Sequence, residues 1–335
     1  MTIMQSLPII VVFIITLALI KILYLEFGKQ DVEKNLRNFS LNTPLYSERF
    51  PLILRSFLSG SNETLNIVLN MDRLRNFLEM NFSSYYKGFA YEGVGMGFGI
   101  RADFSFNKAK TFEKYIKKLS PNHIYQFYVG LGWWLLIRHG YQEDKYEKWF
   151  KKLSKKYFLI TLDGVGFKTG LYSDGWSKFN HFKNDYQRVC FQGFGRSIWF
   201  QSEFQIKESM KKLRLVPEEY RKDAASGLGL AVAYSLFDQL SQAFIIYDSI
   251  PSPLKSAFAQ GMSFGLEARR LQDPNYWTTT LESQPEVNKL FINTWIQIVH
   301  KVEAELSDQD TIFYLNWMDM VRDQIREKGE KHEIY

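Results

Sequence analysis

A glycine motif returns six times along this 335-residue chain. It stands at Gly93-Val94-Gly95, Gly130-Leu131-Gly132, Gly164-Val165-Gly166, Gly193-Phe194-Gly195, Gly227-Leu228-Gly229 and, with serine in the last place, Gly261-Met262-Ser263. Successive first glycines are 37, 34, 29, 34 and 34 residues apart. A period of roughly 20–50 residues marks stacked supersecondary units. The flanks share the register. Seven residues before the first glycine stand Tyr86, His123, Tyr157, Tyr186, Tyr220 and Leu254. Three before it stand Ala90, Phe127, Thr161, Cys190, Ala224 and Phe258. Offsets of −7, −3, 0 and +4 fall on one face of an α-helix.

Alternating glycines at Gly93, Gly95, Gly97 and Gly99 suggest a strand instead, and each glycine costs a helix about 1 kcal/mol against alanine. The fifth copy decides the matter, because Ala224-Ala225-Ser226-Gly227-Leu228-Gly229-Leu230-Ala231 is helical in composition. Pro121, Pro217, Pro251 and Pro253 stand where these helices would begin. The intervening segments 63–81, 107–119, 143–155, 202–213 and 237–248 carry amphipathic spacing. Tyr146, Trp149, Phe150 and Leu153 form one such stripe. The expected fold is all-α: an α-solenoid of about six helical hairpins of roughly 34 residues. It has an N-terminal transmembrane helix and a C-terminal capping pair. The expected organisation is an anchor over 1–27, a linker and entry segment over 28–62, a helical repeat domain over 63–284, and capping helices with a tail over 285–335.

The glycines read as helix-packing positions: Gly93 with Gly97, Gly130, Gly164, Gly193, Gly227, and Gly261 with Gly265. Small residues let helix backbones approach closely. A phosphate cradle has no support, since no copy carries Gly-x-Gly-x-x-Gly after a strand or Gly-Lys-Ser/Thr.

From Leu7 to Ile20 the chain has no charge, and Ile22-Leu23-Tyr24-Leu25 extends the run past Lys21. That length suits one bilayer crossing, with Tyr24 and Lys21 at the interface. No lysine or arginine precedes the run and no small-x-small cleavage site follows it, which favours an uncleaved anchor. Lys21, Lys29, Lys34 and Arg37 follow the span. The positive-inside rule then places the body in the cytoplasm, with a periplasmic body as the alternative. The lipid bilayer is one expected partner. The net charge of +6 and the absence of a recognised module give no basis for nucleic-acid binding.

Chemistry is harder to read. The five histidines are scattered, with no His-Glu-x-x-His, so no metal and no cofactor is expected. The single cysteine, Cys190, takes a packing position. Immediately before the first glycines stand Glu92, Val129, Asp163, Gln192, Ser226 and Gln260. Glu92, Asp163, Gln192 and Gln260 form a candidate polar stripe, and paired carboxylates there would suit acid–base work. Tyr86, Tyr157, Tyr186 and Tyr220 are candidate groove aromatics. Arg101, Arg138 and Arg269, at +8, suit a helix C-terminus or an anion-binding row.

The string Lys87-Gly88-Phe89-Ala90-Tyr91-Glu92-Gly93, with Phe127-Tyr-Val-Gly-Leu-Gly-Trp, Leu162-Asp-Gly-Val-Gly-Phe and Phe191-Gln-Gly-Phe-Gly-Arg, resembles the UnbL-type family over about Phe50 to Leu271. These bacterial proteins are encoded in enediyne polyketide gene clusters, often beside the UnbV and UnbU families. The family carries no assigned catalytic residues. The resemblance implies a role in enediyne-type or related polyene biosynthesis. Three functions compete: a membrane-anchored scaffold or accessory protein with a protein partner, a binding module for an elongated hydrophobic chain, and an enzyme using Glu92 and its polar neighbours.

Overall fold

The computed structural model describes residues 3–172 and 175–332. Among them there is no strand. The helices are α1 (Ile3–Gly28), α2 (Val32–Leu36), α3 (Pro44–Thr64), α4 (Met71–Asn81), α5 (Ser84–Ala102), α6 (Lys108–Leu119), α7 (Ile124–His139), α8 (Glu143–Phe150) and α9 (Ile160–Tyr172). They continue as α10 (Asn184–Gln201), α11 (Ile206–Leu213), α12 (Arg221–Ser235), α13 (Leu240–Asp248), α14 (Ser252–Gln272), α15 (Pro274–Glu282), α16 (Glu286–Glu305) and α17 (Phe313–His332). The six glycine copies lie on α5, α7, α9, α10, α12 and α14, which pack side by side in that order. Shorter amphipathic helices lie between most of them in the chain. Between α9 and α10 that place is taken by a 3-10 stretch, Trp176–His181, because the interval there is the shortest.

The alternating glycines of α5 do not make a strand, because the two glycines of each motif serve different neighbours. Two residues along an α-helix turn it by about 200°, so positions 0 and +2 face nearly opposite ways. A Cβ on each first glycine would meet the backbone carbonyl of the residue before the motif in the preceding helix. Gly130 faces Glu92, Gly164 faces Val129, Gly193 faces Asp163, Gly227 faces Gln192 and Gly261 faces Ser226, at 1.7–2.0 Å. A Cβ on each second glycine would meet the −3 carbonyl of the following helix. Gly95 faces Phe127, Gly132 faces Thr161, Gly166 faces Cys190, Gly195 faces Ala224 and Gly229 faces Phe258, at 1.8–2.3 Å. Gly97 presses on Thr64 and Gly265 on Leu230. The helical propensity lost to glycine is offset by tertiary packing at backbone contact.

Helix α3 joins this row, within a segment expected as linker and entry. Gly60 abuts the Ala90 carbonyl, and Gly93 abuts the Phe57 carbonyl. The segment 63–81, expected as one amphipathic helix, is divided. α3 ends at Thr64, and α4 starts afresh where the Asn70 side chain accepts from the amides of Asp72 and Arg73.

The row curls. Position −1 lies about 260° round the helix, in the arc of about 160° between the two neighbour contacts. An arc below 180° bends the row toward that side, so the −1 residues face the inside. The two ends of the row, α3 with α5 and α12 with α14, then meet. The Tyr85 hydroxyl donates to the Ser235 carbonyl at 2.6 Å. Arg269 donates to the carbonyls of Tyr85 (2.8 Å) and Tyr234 (2.6 Å). Arg49 forks onto Asp238 at 2.7 and 2.8 Å. Inside the curl, Phe57, Trp133, Phe167, Phe200 and Phe50 form a chain of ring contacts from α3 through α7, α9 and α10 back to α3.

The C-terminal pair does not act as one cap. Helix α16 covers α13 and α14, with Trp295 against Phe244 and Tyr247. Helix α17 instead crosses from α14 to α10, with Trp317 on Phe264 and Tyr314 donating to Gln192, and its first turns bury Phe313, Tyr314, Leu315, Trp317 and Met318.

At the other end of the chain, the segment Val11–Leu23 of α1 is largely exposed and its last turn is docked. Leu25 is buried, Gly28 packs on Leu65 and Ile100, and the Tyr24 hydroxyl donates to Asp103 at 3.2 Å. By length and composition, α1 is the one single helix among the described residues able to cross a membrane.

Candidate functional site

The inward −1 position brings residues from distant copies together. Arg196, on α10, donates from Nη2 to Glu92 Oε2 on α5 at 3.3 Å and from Nη1 to Asp163 Oδ1 on α9. Its guanidinium also lies 4.4 Å from the centre of the Phe167 ring. All three ionisable groups are buried. Gln192 donates to the Ser226 hydroxyl at 3.2 Å and accepts from Tyr314 of α17 at 2.9 Å. Gln260 meets the middle of α17, where Arg322 donates to its Oε1 at 3.4 Å. Val129 lines the cavity beside Glu92 and Asp163. Glu92 and Asp163 thus share one cation, Gln192 joins α17, and Gln260 sits further along the same helix.

Two carboxylates around one guanidinium leave an excess negative charge in a dry interior. Burial, aided by the negative charge of Asp163 and opposed by Arg196, pushes the Glu92 carboxyl up to about 7. Burial also raises Asp163, with Arg196 opposing. Burial works against the charged form of Arg196, yet the combined pull of Asp163 and Glu92 raises its pKa above the ordinary arginine value. Asp163 Oδ2 and Arg196 Nε make no hydrogen bond within the protein.

A cavity of about 60 Å³ adjoins this cluster. Glu92, Asp163, Arg196 and Gln126 supply polar lining, and Tyr125, Tyr234, Phe264, Tyr314 and Trp317 supply an aromatic wall. Tyr234 donates to Gln272 at 2.8 Å, and Gln126 donates to both. Glu267, also in the lining, is held by Arg270 at 2.7 Å and faces His300 at 3.1 Å. A space of this size holds a few waters. It falls well short of the several hundred Å³ that enclose a drug-sized ligand.

The four repeat tyrosines do not line this cavity. Tyr157, Tyr186 and Tyr220 instead tie the copies on α9, α10 and α12 to neighbouring helices. Tyr186 donates to Glu147 of α8 at 2.6 Å. Tyr220 donates to Asn184 and Gln187 of α10 and stacks on Phe191. Tyr157 packs on Tyr128 of α7, and Tyr86 sits edge-on to Tyr85. His123, at the same offset, stacks on Tyr91 with ring centres 3.5 Å apart, and burial drives its pKa down to about 3. The +8 arginines also act on neighbours. Arg101 caps the end of α3 through the carbonyls of Thr64 and Asn66, and Arg138 pairs with Asp103. The Cys190 thiol is fully buried and its pKa is raised by burial.

No group of three or more histidine, cysteine or carboxylate side chains converges among the described residues. Arg196 was legible as a partner only in space. It sits at +3 in one copy, and no spacing in the chain links it to Glu92.

These features define an all-helical protein with an exposed apolar N-terminal helix and a buried ionic centre. The chain belongs to the family described as a protein of unknown function (DUF1702), whose model matches residues 16–326. That description carries no link to the UnbL-type family or to enediyne gene clusters. No curated protein and no solved structure was found to match the chain.

Proposed function

We propose that this chain is a membrane-anchored scaffold or accessory protein built on an α-solenoid of seven inner helices, with α3 as the first. The end members support the count. Helix α3 has Leu58 where a first glycine would serve a preceding helix, and α14 has Ser263 where a second glycine would serve a following one. Each lacks a glycine only on the side where the row has no further member. The anchoring rests on α1, whose exposed apolar length is continuous with a last turn held by Asp103, Leu65 and Ile100. Most of the interior is packed with side chains, which favours surface recognition over enclosure of a long hydrophobic ligand. Lys21, Lys29, Lys34 and Arg37 favour a cytoplasmic body. The enediyne-type or polyene pathway rests on the resemblance around Gly88–Gly93 alone.

Alkaline carbonate should leave the full-length chain in the membrane pellet, and its release would overturn the anchor. Crosslinking in intact membranes followed by detergent pull-down should recover one stoichiometric protein partner. Recovery of none would overturn the scaffold role. Metabolite comparison after gene deletion tests the pathway.

A second reading, an enzyme or small-ligand site, is favoured by one observation: Glu92, with its carboxyl near neutral pKa, sits with Asp163 and Arg196 beside the cavity. Glu92→Gln and Asp163→Asn variants that fold and retain full pathway output would remove it.

A further inference from the structure

The docked end of α1 lies against α5, α7 and the loops that follow α3 and α5, with Gly28 on Leu65 and Ile100 and Tyr24 on Phe104 and Trp134. Phe27 and those two loops carry apolar side chains in the open. Phe27 of α1 is 85% exposed, Val68 is 79% exposed, Ile67 is 56% exposed, and Phe106 is fully exposed. Scattered surface leucines need no explanation, but a cluster of large apolar tips at one place does. The tips are held in position. The Tyr24 ring is 4.5 Å from the partly exposed Phe104 ring, and Arg101 donates to the carbonyls of Asn66 (2.6 Å) and Ile67 (3.4 Å). Beside Phe106 opens a surface cleft of about 220 Å³ whose lining includes Lys108, His139, Lys145, Lys148 and Lys152. Nearby carboxylates balance only part of this charge. Asp103 takes Lys108 at 2.8 Å and Arg138 at 3.3 Å, and Asp144 takes Lys145 at 3.3 Å and Lys148 at 3.9 Å.

We propose that this rim is a second membrane contact, in which Phe27, Ile67, Val68 and Phe106 enter the bilayer interface and the lysine cleft binds the phosphate of an anionic phospholipid headgroup. The inference rests on the reading of α1 as a membrane span. Tyr24 lies at the end of the apolar run and touches Phe104, so a span ending there sets the rim at headgroup depth. Aromatic tips and lysines are the side chains that this layer and its anionic lipids accept. The body would then lie against the leaflet in one orientation rather than swing from a tether.

The test uses full-length protein in nanodiscs, in a Cys190→Ala background. Alanine already stands at the matching place in two other copies, at Ala90 and Ala224. Single cysteines replacing Leu17, Phe106 and Ile245 carry a polarity-sensitive fluorophore, and spin-labelled phosphatidylcholine serves as quencher. Ile245 is exposed on α13, whose preceding helix ends beside the start of α5, away from the rim. Expected is strong quenching at Leu17, shallow quenching at Phe106 and none at Ile245. Raising phosphatidylglycerol should deepen the signal at Phe106 at least threefold, and replacing Lys108, Lys145, Lys148 and Lys152 by glutamine should remove that increase. Quenching at Leu17 without quenching at Phe106 overturns the rim and leaves the anchor standing. No quenching at Leu17 overturns the anchor itself. If the Phe106 signal is the same with and without phosphatidylglycerol, or if inorganic phosphate at matched ionic strength reproduces its effect on neutral lipid, the anionic-lipid cleft is overturned.

Discussion

Arg196 and Glu92 are joined across 104 residues of chain, with Nη2 donating to Oε2 at 3.3 Å in the middle of the curled row. The contact brings the fourth glycine copy onto the first, skipping the two between them. It also places a third charge, Asp163, on the same guanidinium. Removing Arg196 would strand two buried carboxylates, whereas neutralising Glu92 would leave one balanced pair.

That asymmetry carries a pH signature. The folded-state pKa of Glu92 is raised from 4.5 to about 7. A raised carboxyl favours the folded state most below its unfolded pKa, and this contribution is lost as pH climbs through about 7. The span corresponds to something on the order of 3 kcal/mol. Glu92→Gln should therefore flatten the fall in stability between pH 4.5 and 7, and should equal or exceed the parent in stability above pH 7. Denaturant unfolding across that range checks it. A variant less stable than the parent at pH 8, or an unchanged slope, would count against a strained carboxyl.

His123 should act in the opposite direction. Its folded pKa is depressed from 6.5 to about 3 by burial. Its contribution is complete above pH 6.5 and is lost as pH falls toward 3. His123→Phe, which keeps a flat ring against Tyr91, should reduce acid sensitivity in that window while giving up the 2.9 Å contact with Ser120. Circular dichroism melts at pH 7 and pH 4 compare the two proteins, and an identical drop in Tm for both would contradict the assignment.

The glycine contacts predict opposite signs at two positions. A Cβ at Gly193 would sit 1.8 Å from the Asp163 carbonyl oxygen, so the helices must separate. Gly193→Ala should cost at least about 2 kcal/mol. Gly329 lies in helix α17 with nothing near. Gly329→Ala should gain about 0.5–1 kcal/mol by limiting the unfolded chain. Unfolding free energies of equal size and sign for the two would undo the packing account.

The ends of the row give a sharper comparison. Ser263→Gly should cost no more than about 1 kcal/mol, the propensity difference within a helix. Gly229→Ser, the matching exchange inside the row, would place a side chain 2.0 Å from the Phe258 carbonyl and should prevent close docking of α14. Proteolysis of the expressed chains separates the two cases, and equal resistance would argue against α14 as the terminal member.

Much of this architecture is legible along the chain. Tyrosine at −7 and the shared −7, −3, 0 and +4 register mark helices. The second glycine turns to the other neighbour, a division of labour that the helical angle implies but residue type does not mark. Helix α3 does not stand out along the chain, because its motif, Leu58-Ser59-Gly60, keeps only one glycine of the pair. The polar stripe Glu92, Asp163, Gln192 and Gln260 was visible as a periodic position. Its meeting on Arg196 and α17 was not, because neither partner lies in that register.

Local chemistry, then, was enough to specify the helices, their close-packed faces and the apolar N-terminal segment, since those depend on residue type at fixed spacing. The curl, the crossing of α17 and the pairing of charges up to 104 residues apart were decided only by tertiary packing. Small angular offsets at each backbone contact accumulate along the row, and the side chains of any one helix do not record their sum.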